Sequence, residues 1–167
     1  MSTATEIAKF LATAPLFQNV ASANLEAFAR RLREITLRRG EVLFRQDDAG
    51  EEMFVIHHGT MVVSKPITGN VEQVLARIGP GECFGEMGLF AHSPRSATLS
   101  AETETTLLVL DSDNLHRLTE TNPEAAAAFF HALVLVFIER LRESGNLVAE
   151  VTRWGLEATG LDVEKTR

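Results

Sequence analysis

Cysteine is nearly absent from this sequence. Cys83 is the only cysteine in 167 residues, so the chain can form neither an internal disulfide nor a cysteine-rich zinc site. A chain of this length can bury a stable core without such cross-links, and we expect a single domain. Proteins without disulfides suit a reducing compartment, so we expect a cytoplasmic location.

Basic charge and long apolar runs are also scarce. The formal net charge is −7, whereas nucleic-acid-binding proteins usually show a basic face. Arginines cluster within residues 30–39, which suits either the end of a helix or an acidic partner. The longest apolar run, residues 125–138, is shorter than the roughly 20 residues that span a bilayer. The N-terminus lacks the pattern of a signal peptide. We therefore expect neither DNA nor a membrane among the partners.

Catalytic motifs are missing as well. The sequence contains no His/Asp cluster with metal-ligand spacing, no Walker-type phosphate loop and no evident base for Cys83. His57 and His58 are adjacent on a predicted strand, so we expect their side chains to point to opposite faces and not to share a metal. The sequence predicts a binding protein without a cofactor rather than an enzyme.

The hydrophobic pattern divides the chain into zones and indicates an α+β fold. Glycines punctuate short β-type runs in the middle zone, and the flanking zones show helical spacing. Asn122-Pro123-Glu124 is typical of the start of a helix, and we expect Gly145 to end or bend that helix. The zones are an N-terminal helical segment at 1–35, strands at 36–111, C-terminal helices at 112–150 and a tail at 151–167.

Residues 84–98, "FGEMGLFAHSPRSAT", interrupt the strand pattern. Residues 85–89 can form one helical turn, whose free N–H groups attract an anion. Arg95 offers a fork of donors to a phosphate, and Glu86 is an acceptor suited to a sugar hydroxyl. These residues predict a site for a phosphorylated sugar, or else a structural Glu86–Arg95 ion pair that holds the loop in place.

The same stretch resembles the phosphate-binding cassette of the cyclic nucleotide-binding domain family, and especially its catabolite activator type. The segments "PLFQNV", "IGPGECFGE" and "NPEAAAAF" extend the resemblance over roughly residues 8–145. It implies an antiparallel, jelly-roll-like β-roll of about eight strands, flanked by N-terminal helices and a long C-terminal helix. It also implies a sensor domain. Residues 151–167 are too few and too evenly charged for the DNA-binding module of that type.

The resemblance implies a role for each matching residue of the cassette. Gly85 and the N–H groups of the residues that follow it would hold the cyclic phosphate, Glu86 would accept from the ribose 2′-OH, and Arg95 would pair with the phosphate. At the base end, Val74 and Arg77 would run past the purine, Ser144 would reach its edge and Trp154 would cover it. The full set of predicted ligand-binding residues is Gly85, Glu86, Met87, Gly88, Arg95, Ser96, Ala97, Thr98, Val74 and Ser144.

Three questions about function follow from this resemblance. The cassette is most similar to those that bind cyclic AMP, so we expect cyclic AMP rather than cyclic GMP, although Ser96 suits either. The alternative is a protein-interaction module whose pocket no longer binds a ligand. The receiver of the signal, an effector protein or the chain's own assembly, is not encoded in the motifs.

The helix at 123–143 is apolar on nearly every side. A small β-domain can cover only one of its faces, and an apolar patch of that size is rarely left exposed. The simplest cover is the same helix of a second chain related by a two-fold axis, which the resemblance also implies. We therefore predict a homodimer through helix 123–143, with Leu133, Phe137 and Leu141 in the seam.

Overall fold

A computed structural model describes residues 2–68 and 71–158 of the chain. These residues form eight strands, five α-helices and a short 3-10 turn at Pro15–Phe17. In chain order the elements are α1 (Ala4–Leu11), α2 (Ser22–Ala29), β1 (Arg33–Leu37), β2 (Val42–Phe44), β3 (Glu52–His58), β4 (Met61–Thr68), β5 (Val71–Ile78), β6 (Cys83–Phe84), α3 (Glu86–Ala91), β7 (Thr98–Ala101), β8 (Thr105–Asp111), α4 (Ser112–Thr121) and α5 (Pro123–Ala158).

The strands form two four-stranded antiparallel sheets. The order is β1-β8-β3-β6 in the first sheet and β2-β7-β4-β5 in the second. The predicted α+β fold is therefore confirmed, with eight strands among the described residues, helices before them and a long helix after them. The order of strands within each sheet brings β6 and the segment that follows it against β3, and this is where the cassette lies.

Two apolar cores hold the layers together, and strand β3 contributes to both. Phe54 and Ile56 point between the sheets, where they meet Met61 and Leu99 of the second sheet. Met53 and the alternate residue after it point outward into a second core with α1, α2 and α5. Successive side chains of a strand point to opposite faces, so both faces of this strand are covered and its middle is buried throughout.

Side-chain caps fix the starts of helices α1, α4 and α5, whereas α2 has no side-chain cap. Thr3 and Glu6 form a reciprocal capping box at the start of α1, and Asp111 caps α4 by accepting from the N–H of Asn114 at 2.8 Å. The predicted start of the last helix is confirmed, because Asn122 Oδ1 accepts from the N–H of Ala125 at 3.1 Å and Pro123 is the first helical residue. Such caps are worth about 1 kcal/mol each.

Three details differ from the predictions. Strand β1 already begins at Arg33, inside the segment predicted to be helical. Helix α5 continues through Gly145 to Ala158, so it neither ends there nor leaves residues 151–158 as a separate tail; residues 159–167 lie outside the described part. A β-bulge follows Ile56, and the rings of His57 and His58 are 4.3 Å apart rather than on opposite faces. A bulge disturbs the alternation of side chains.

No helix among the described residues is both long enough and apolar enough to cross a membrane.

Candidate functional site

The cassette turns sharply from β6 into α3 at Gly85. Its φ is 81°, in the left-handed region, and a Cβ built there would lie 2.7 Å from the carbonyl oxygen of Glu52. Both observations require glycine. Helix α3 begins directly after this turn. Its first N–H groups have no partner within the helix, and they are therefore available at its N-terminal end.

Arg95 lies beneath this turn and is only 5% exposed. Its Nη1 donates to the carbonyl oxygens of Glu52 at 2.8 Å and Gly85 at 3.2 Å. The guanidinium carbon lies 4.4 Å from the centre of the Phe44 ring, a cation–π contact. The predicted structural alternative, a Glu86–Arg95 ion pair, is wrong, because the bonds of Arg95 go to main-chain carbonyls.

The loop before β3 closes over the same arginine. The main chains of Asp47 and Asp48 exchange hydrogen bonds with the main chain of Arg95 at 2.8 and 2.9 Å. A Cβ on Gly50 would lie 2.3 Å from Arg95 Nη2, so only glycine lets the two approach this closely. Main-chain groups therefore fix the position of the guanidinium on several sides.

The electrostatics of Arg95 favour an anionic ligand. Burial lowers the pKa of Arg95, and the carboxylates of Glu52, Asp48 and Glu86 oppose that shift. An arginine still stays charged at neutral pH. Its buried Nε has no hydrogen-bond partner among the described residues. A buried cation with an unused donor is costly unless an anion pairs with it, which is what a phosphate would do.

Glu86 has a partner that the sequence reasoning missed. Arg140 of α5 donates from Nη1 to Glu86 Oε1 at 2.5 Å and from Nη2 to the carbonyl oxygen of Cys83 at 3.1 Å. Glu86 is buried, whereas the Arg140 side chain is 46% exposed. The signal available in the sequence was that Arg140 is the first arginine after the apolar run of the long helix. The ion pair joins the cassette directly to α5.

A cavity of about 220 Å³ opens between the two sheets beside α3. That is below the roughly 300–1,000 Å³ of typical small-molecule sites. Most of the predicted cassette residues line it, together with side chains from both sheets and from α5. The predicted residues in the lining are Gly85, Glu86, Met87, Gly88, Arg95, Ser96 and Ala97, and the others include Phe44, Val63, Ile78, Leu99 and Arg140.

The remaining predicted residues do not line this cavity. The Thr98 hydroxyl already accepts from the N–H of Gln46 at 3.0 Å. Val74 is 47% exposed on strand β5, and Arg77 beside it forms an ion pair with Glu102 at 2.8 Å. Ser144 is exposed, one turn beyond Arg140. Trp154 is 62% exposed. The structure thus brings together the residues predicted for the phosphate and the ribose, and places those predicted for the base outside the cavity lining.

Cys83 lines the cavity but is not a reactive thiol. Burial, helped by the charge of Glu86, raises the pKa of Cys83 to about 11. A thiol with that pKa is almost fully protonated at neutral pH, and the protonated form is a poor nucleophile. The small buried side chain therefore serves packing.

Comparison with known proteins agrees with this geometry. The cyclic nucleotide-binding domain profile matches residues 34–122, more than half of the sequence, and the chain belongs to that family. A cyclic nucleotide-gated potassium channel of Mesorhizobium japonicum is 39% identical over 121 residues, or 72% of this chain. A CRP-like cAMP-activated global transcriptional regulator of Mycobacterium tuberculosis is 27% identical over 143 residues, or 86% of this chain. A cyclic nucleotide-binding domain of Methylobacillus flagellatus superposes with a TM-score of 0.75 at 25% identity, covering 88% of this chain and 83% of that one.

The match extends over only part of the two longer relatives. It covers 32% of the channel and 62% of the transcriptional regulator. The shared part is the ligand-binding domain, and the family therefore supports a regulatory role in which a cyclic nucleotide is sensed.

Proposed function

We propose that this chain is a cyclic nucleotide sensor that binds the cyclic phosphate on Arg95 and the N–H groups of α3, binds the ribose on Glu86, and performs no catalysis. The observation that carries the proposal is the buried guanidinium of Arg95, a residue that lines the cavity and whose Nε has no hydrogen-bond partner among the described residues. Two oxygens of a phosphate can accept from an arginine fork in a bidentate pair. The neutral hydroxyl of a ribose suits the carboxylate of Glu86.

Cyclic AMP is the nucleotide that we propose. The cassette is most similar to cyclic AMP binders, and the regulator of Mycobacterium tuberculosis is named for its activation by cAMP. Ser96, which lines the cavity and is exposed, could donate to the phosphate of either nucleotide or to guanine, so the residue does not exclude cyclic GMP.

The signal would leave the site through α5. Glu86 is bonded to Arg140 of that helix through one carboxylate oxygen, and a ribose hydroxyl placed on Glu86 would share this carboxylate with Arg140. A ligand shifts a conformational equilibrium only through contacts that differ between the two states, and the Glu86–Arg140 pair is such a contact. The receiver would be a second copy of the chain or an effector protein. We assign no DNA contact to residues 151–167, and we propose a cytoplasmic location, which a chain with one cysteine suits.

A homodimer through α5 accounts for the apolar side chains that the helix leaves exposed. Leu133 was predicted in the seam, but it is 2% exposed and packs into the chain's own core; that prediction was wrong. Leu135, Ile138 and Trp154 are exposed at other positions of the helix, whereas six further exposed apolar side chains recur at alternating intervals of four and three residues, with Ser144 filling the one polar position of that repeat. We call them the α5 stripe: Phe130, Val134, Phe137, Leu141, Val148 and Val151.

The spacing of the α5 stripe specifies a partner. Apolar residues repeated every 3.5 positions pack against a second helix with the same repeat, and an identical chain supplies one. Leu141 is 75% exposed, and beyond it every described side chain up to Trp154 is exposed. An isolated helix of that length is marginal in water, so the second helix also stabilises the projecting part of α5.

Calorimetric titration tests the ligand. The purified chain, stripped of nucleotide by unfolding and refolding, is titrated with cyclic AMP, cyclic GMP and a cyclic dinucleotide. We expect micromolar or tighter binding of cyclic AMP with one site per chain. Tighter binding of either competitor would reassign the ligand, and no heat with any of the three would favour the protein-interaction module with an inactive pocket.

Sedimentation velocity tests the assembly. We expect twice the mass of the 18.4 kDa chain at micromolar concentration, and a monomer for Leu141→Glu. A wild-type monomer with and without cyclic AMP would contradict the homodimer.

A further inference from the structure

Helix α3 has two faces with different environments. Glu86, Gly88 and Leu89 are buried against the cavity and the core, whereas Met87 and Phe90 are 55% and 40% exposed. A large aromatic ring left in water on a six-residue helix has no role in the ligand site, because Phe90 does not line the cavity. Single exposed apolar residues are common on protein surfaces, so the neighbours of Phe90 decide whether its exposure is significant.

The ring of Phe90 is continuous with the α5 stripe. It lies against the ring of Phe130, the first member of the stripe, with 5.9 Å between centroids and an angle of 58°. Phe130 in turn contacts the buried Phe129 at 5.8 Å. The apolar surface on α5 therefore does not stop at the edge of that helix, but extends onto the exposed face of the cassette helix.

We propose that the second copy of the chain covers Phe90 together with Phe130, so that the helix that forms the floor of the nucleotide site is itself part of the dimer interface. This inference rests on the homodimer proposed above and adds a second contact to it. We assign the covering surface to a second copy of the chain. Phe90 and Phe130 form one apolar surface with the rest of the α5 stripe, and a stripe with this repeat packs against a helix with the same repeat.

The consequence is a short connection between ligand and assembly. Helix α3 has only six residues, so its buried and exposed faces move as one body. Nucleotide contacts on the buried face and partner contacts on Phe90 then bias the same element. If nucleotide changes the dimer constant by some factor, dimerisation must change nucleotide affinity by the same factor. The Arg140–Glu86 pair is a separate connection between the ligand site and α5. The connection through Phe90 and the connection through Arg140 can therefore be removed by separate substitutions.

The test compares Phe90→Ala with Leu75→Ala in sedimentation equilibrium, with and without saturating cyclic AMP. Leu75 is a suitable control because it is 51% exposed but lies on β5 of the second sheet. We expect Phe90→Ala to weaken the dimer at least about tenfold, as for a truncated aromatic contact in an interface, and to bring the ratio of the dimer constants with and without nucleotide toward one. Leu75→Ala should match wild type, and Phe90→Leu should restore most of the loss.

Two further measurements keep the outcomes distinct. Thermal unfolding checks that Phe90→Ala is folded. Calorimetry then compares its cyclic AMP affinity, at a concentration where it is monomeric, with that of Leu141→Glu, which is monomeric by design. We expect the two affinities to agree within about threefold. If Leu141→Glu is a monomer but Phe90→Ala dimerises like wild type, the role of Phe90 is overturned and the homodimer stands. If wild type itself is a monomer, both fail. Loss of cyclic AMP binding in wild type would overturn the ligand alone, because the dimer constants are measured without it.

Discussion

The two ends of the cavity are built in different ways. At the end proposed for the phosphate, main-chain carbonyls, a packed glycine and an aromatic ring hold Arg95, and every one of these groups belongs to the β-roll or to its tight turns. At the end proposed for the ribose, Glu86 is held by one side chain, Arg140, which is half-exposed and belongs to the long helix α5.

This difference suggests that one end of the cavity provides the affinity for the ligand and that the other end provides the conformational response to it. A donor fixed by main-chain groups binds without paying for reorganisation, so the phosphate end is suited to hold the ligand in either conformation of the protein. The Glu86–Arg140 pair has one buried and one half-exposed partner, and the half-exposed partner can return to solvent when a ligand contact replaces it. The ribose end is therefore suited to report that the ligand has bound.

The largest effect is expected from Arg95→Ala. Removing one member of a desolvated charge pair costs roughly 2–5 kcal/mol, which weakens cyclic AMP binding about 30-fold to several thousand-fold. Calorimetry measures the affinity, and Arg77→Ala is the matched control because that arginine is exposed on β5. An affinity of folded Arg95→Ala within threefold of wild type would show that the phosphate is bound elsewhere.

Gly50→Ala should weaken binding without removing any ligand contact. The new Cβ would lie 2.3 Å from Arg95 Nη2, and the guanidinium has no free direction to move because it is bonded to two carbonyls and stacked on Phe44. Overpacking of this kind costs about 1–3 kcal/mol, and we expect at least about a tenfold loss of affinity. Gly79→Ala is the control, since a Cβ there meets nothing within 4 Å. Equal affinities for the two variants would mean that the position of Arg95 is not held by the loop.

Glu86→Gln tests the other end. The amide keeps the shape but loses the charge, and we expect about a tenfold loss for cyclic AMP, the scale of one charge-assisted hydrogen bond. The variant should also lose discrimination against the 2′-deoxy analogue, because the 2′-OH is the group that Glu86 would recognise. If wild type binds both nucleotides equally, Glu86 does not contact that hydroxyl.

The sequence predicted what is local and missed what depends on how the long helix crosses the domain. The cassette could be predicted because its turn, its carboxylate and its arginine all lie within residues 84–98, and glycines marked the ends of the strands. Arg140 could not be assigned to Glu86, since 54 positions separate them and only the packing of α5 brings them together. The apolar run of α5 showed that several faces needed cover, but not that Leu133 belongs to the chain's own core.

Local patterns also failed where the main chain departs from regular geometry. The bulge after Ile56 adds a residue to one strand of a pair. The alternation of apolar and polar residues around His57 gave no signal of this bulge. Gly145 was interpreted as a helix end, yet helix α5 runs through it, because neighbouring turns outweigh the cost of about 1 kcal/mol for one glycine.

Arg140→Ala should separate binding from response. Because the side chain of Arg140 is half-exposed, its loss should change cyclic AMP affinity by less than about fivefold. We expect cyclic AMP to change the fluorescence of Trp154, the only tryptophan, in the wild-type chain, because that residue lies further along α5, and Arg140→Ala should abolish this change. Arg142→Ala, whose partner is Glu139 on the same helix, is the control and should keep the response. A normal response in Arg140→Ala would remove this ion pair from the signalling path.

The smallest effect is expected at the base end. Arg77 and Val74 were predicted beside the purine, but Arg77 is paired with Glu102 and Val74 is half-exposed on β5, and neither lines the cavity. If the site keeps this arrangement when it binds cyclic AMP, then Val74→Ala and Arg77→Ala each leave the affinity within about twofold, because exposed substitutions rarely exceed about 0.5 kcal/mol. A tenfold loss in either variant, with unchanged thermal stability, would mean that β5 closes over the base on binding.

The division between a rigid phosphate end and a responsive ribose end would then have to include β5 as a second moving element. The paired measurement is decisive because Val74 offers only apolar contact, whereas Arg77 must first break its bond to Glu102. A loss confined to Val74→Ala would place the strand against the purine without moving Arg77.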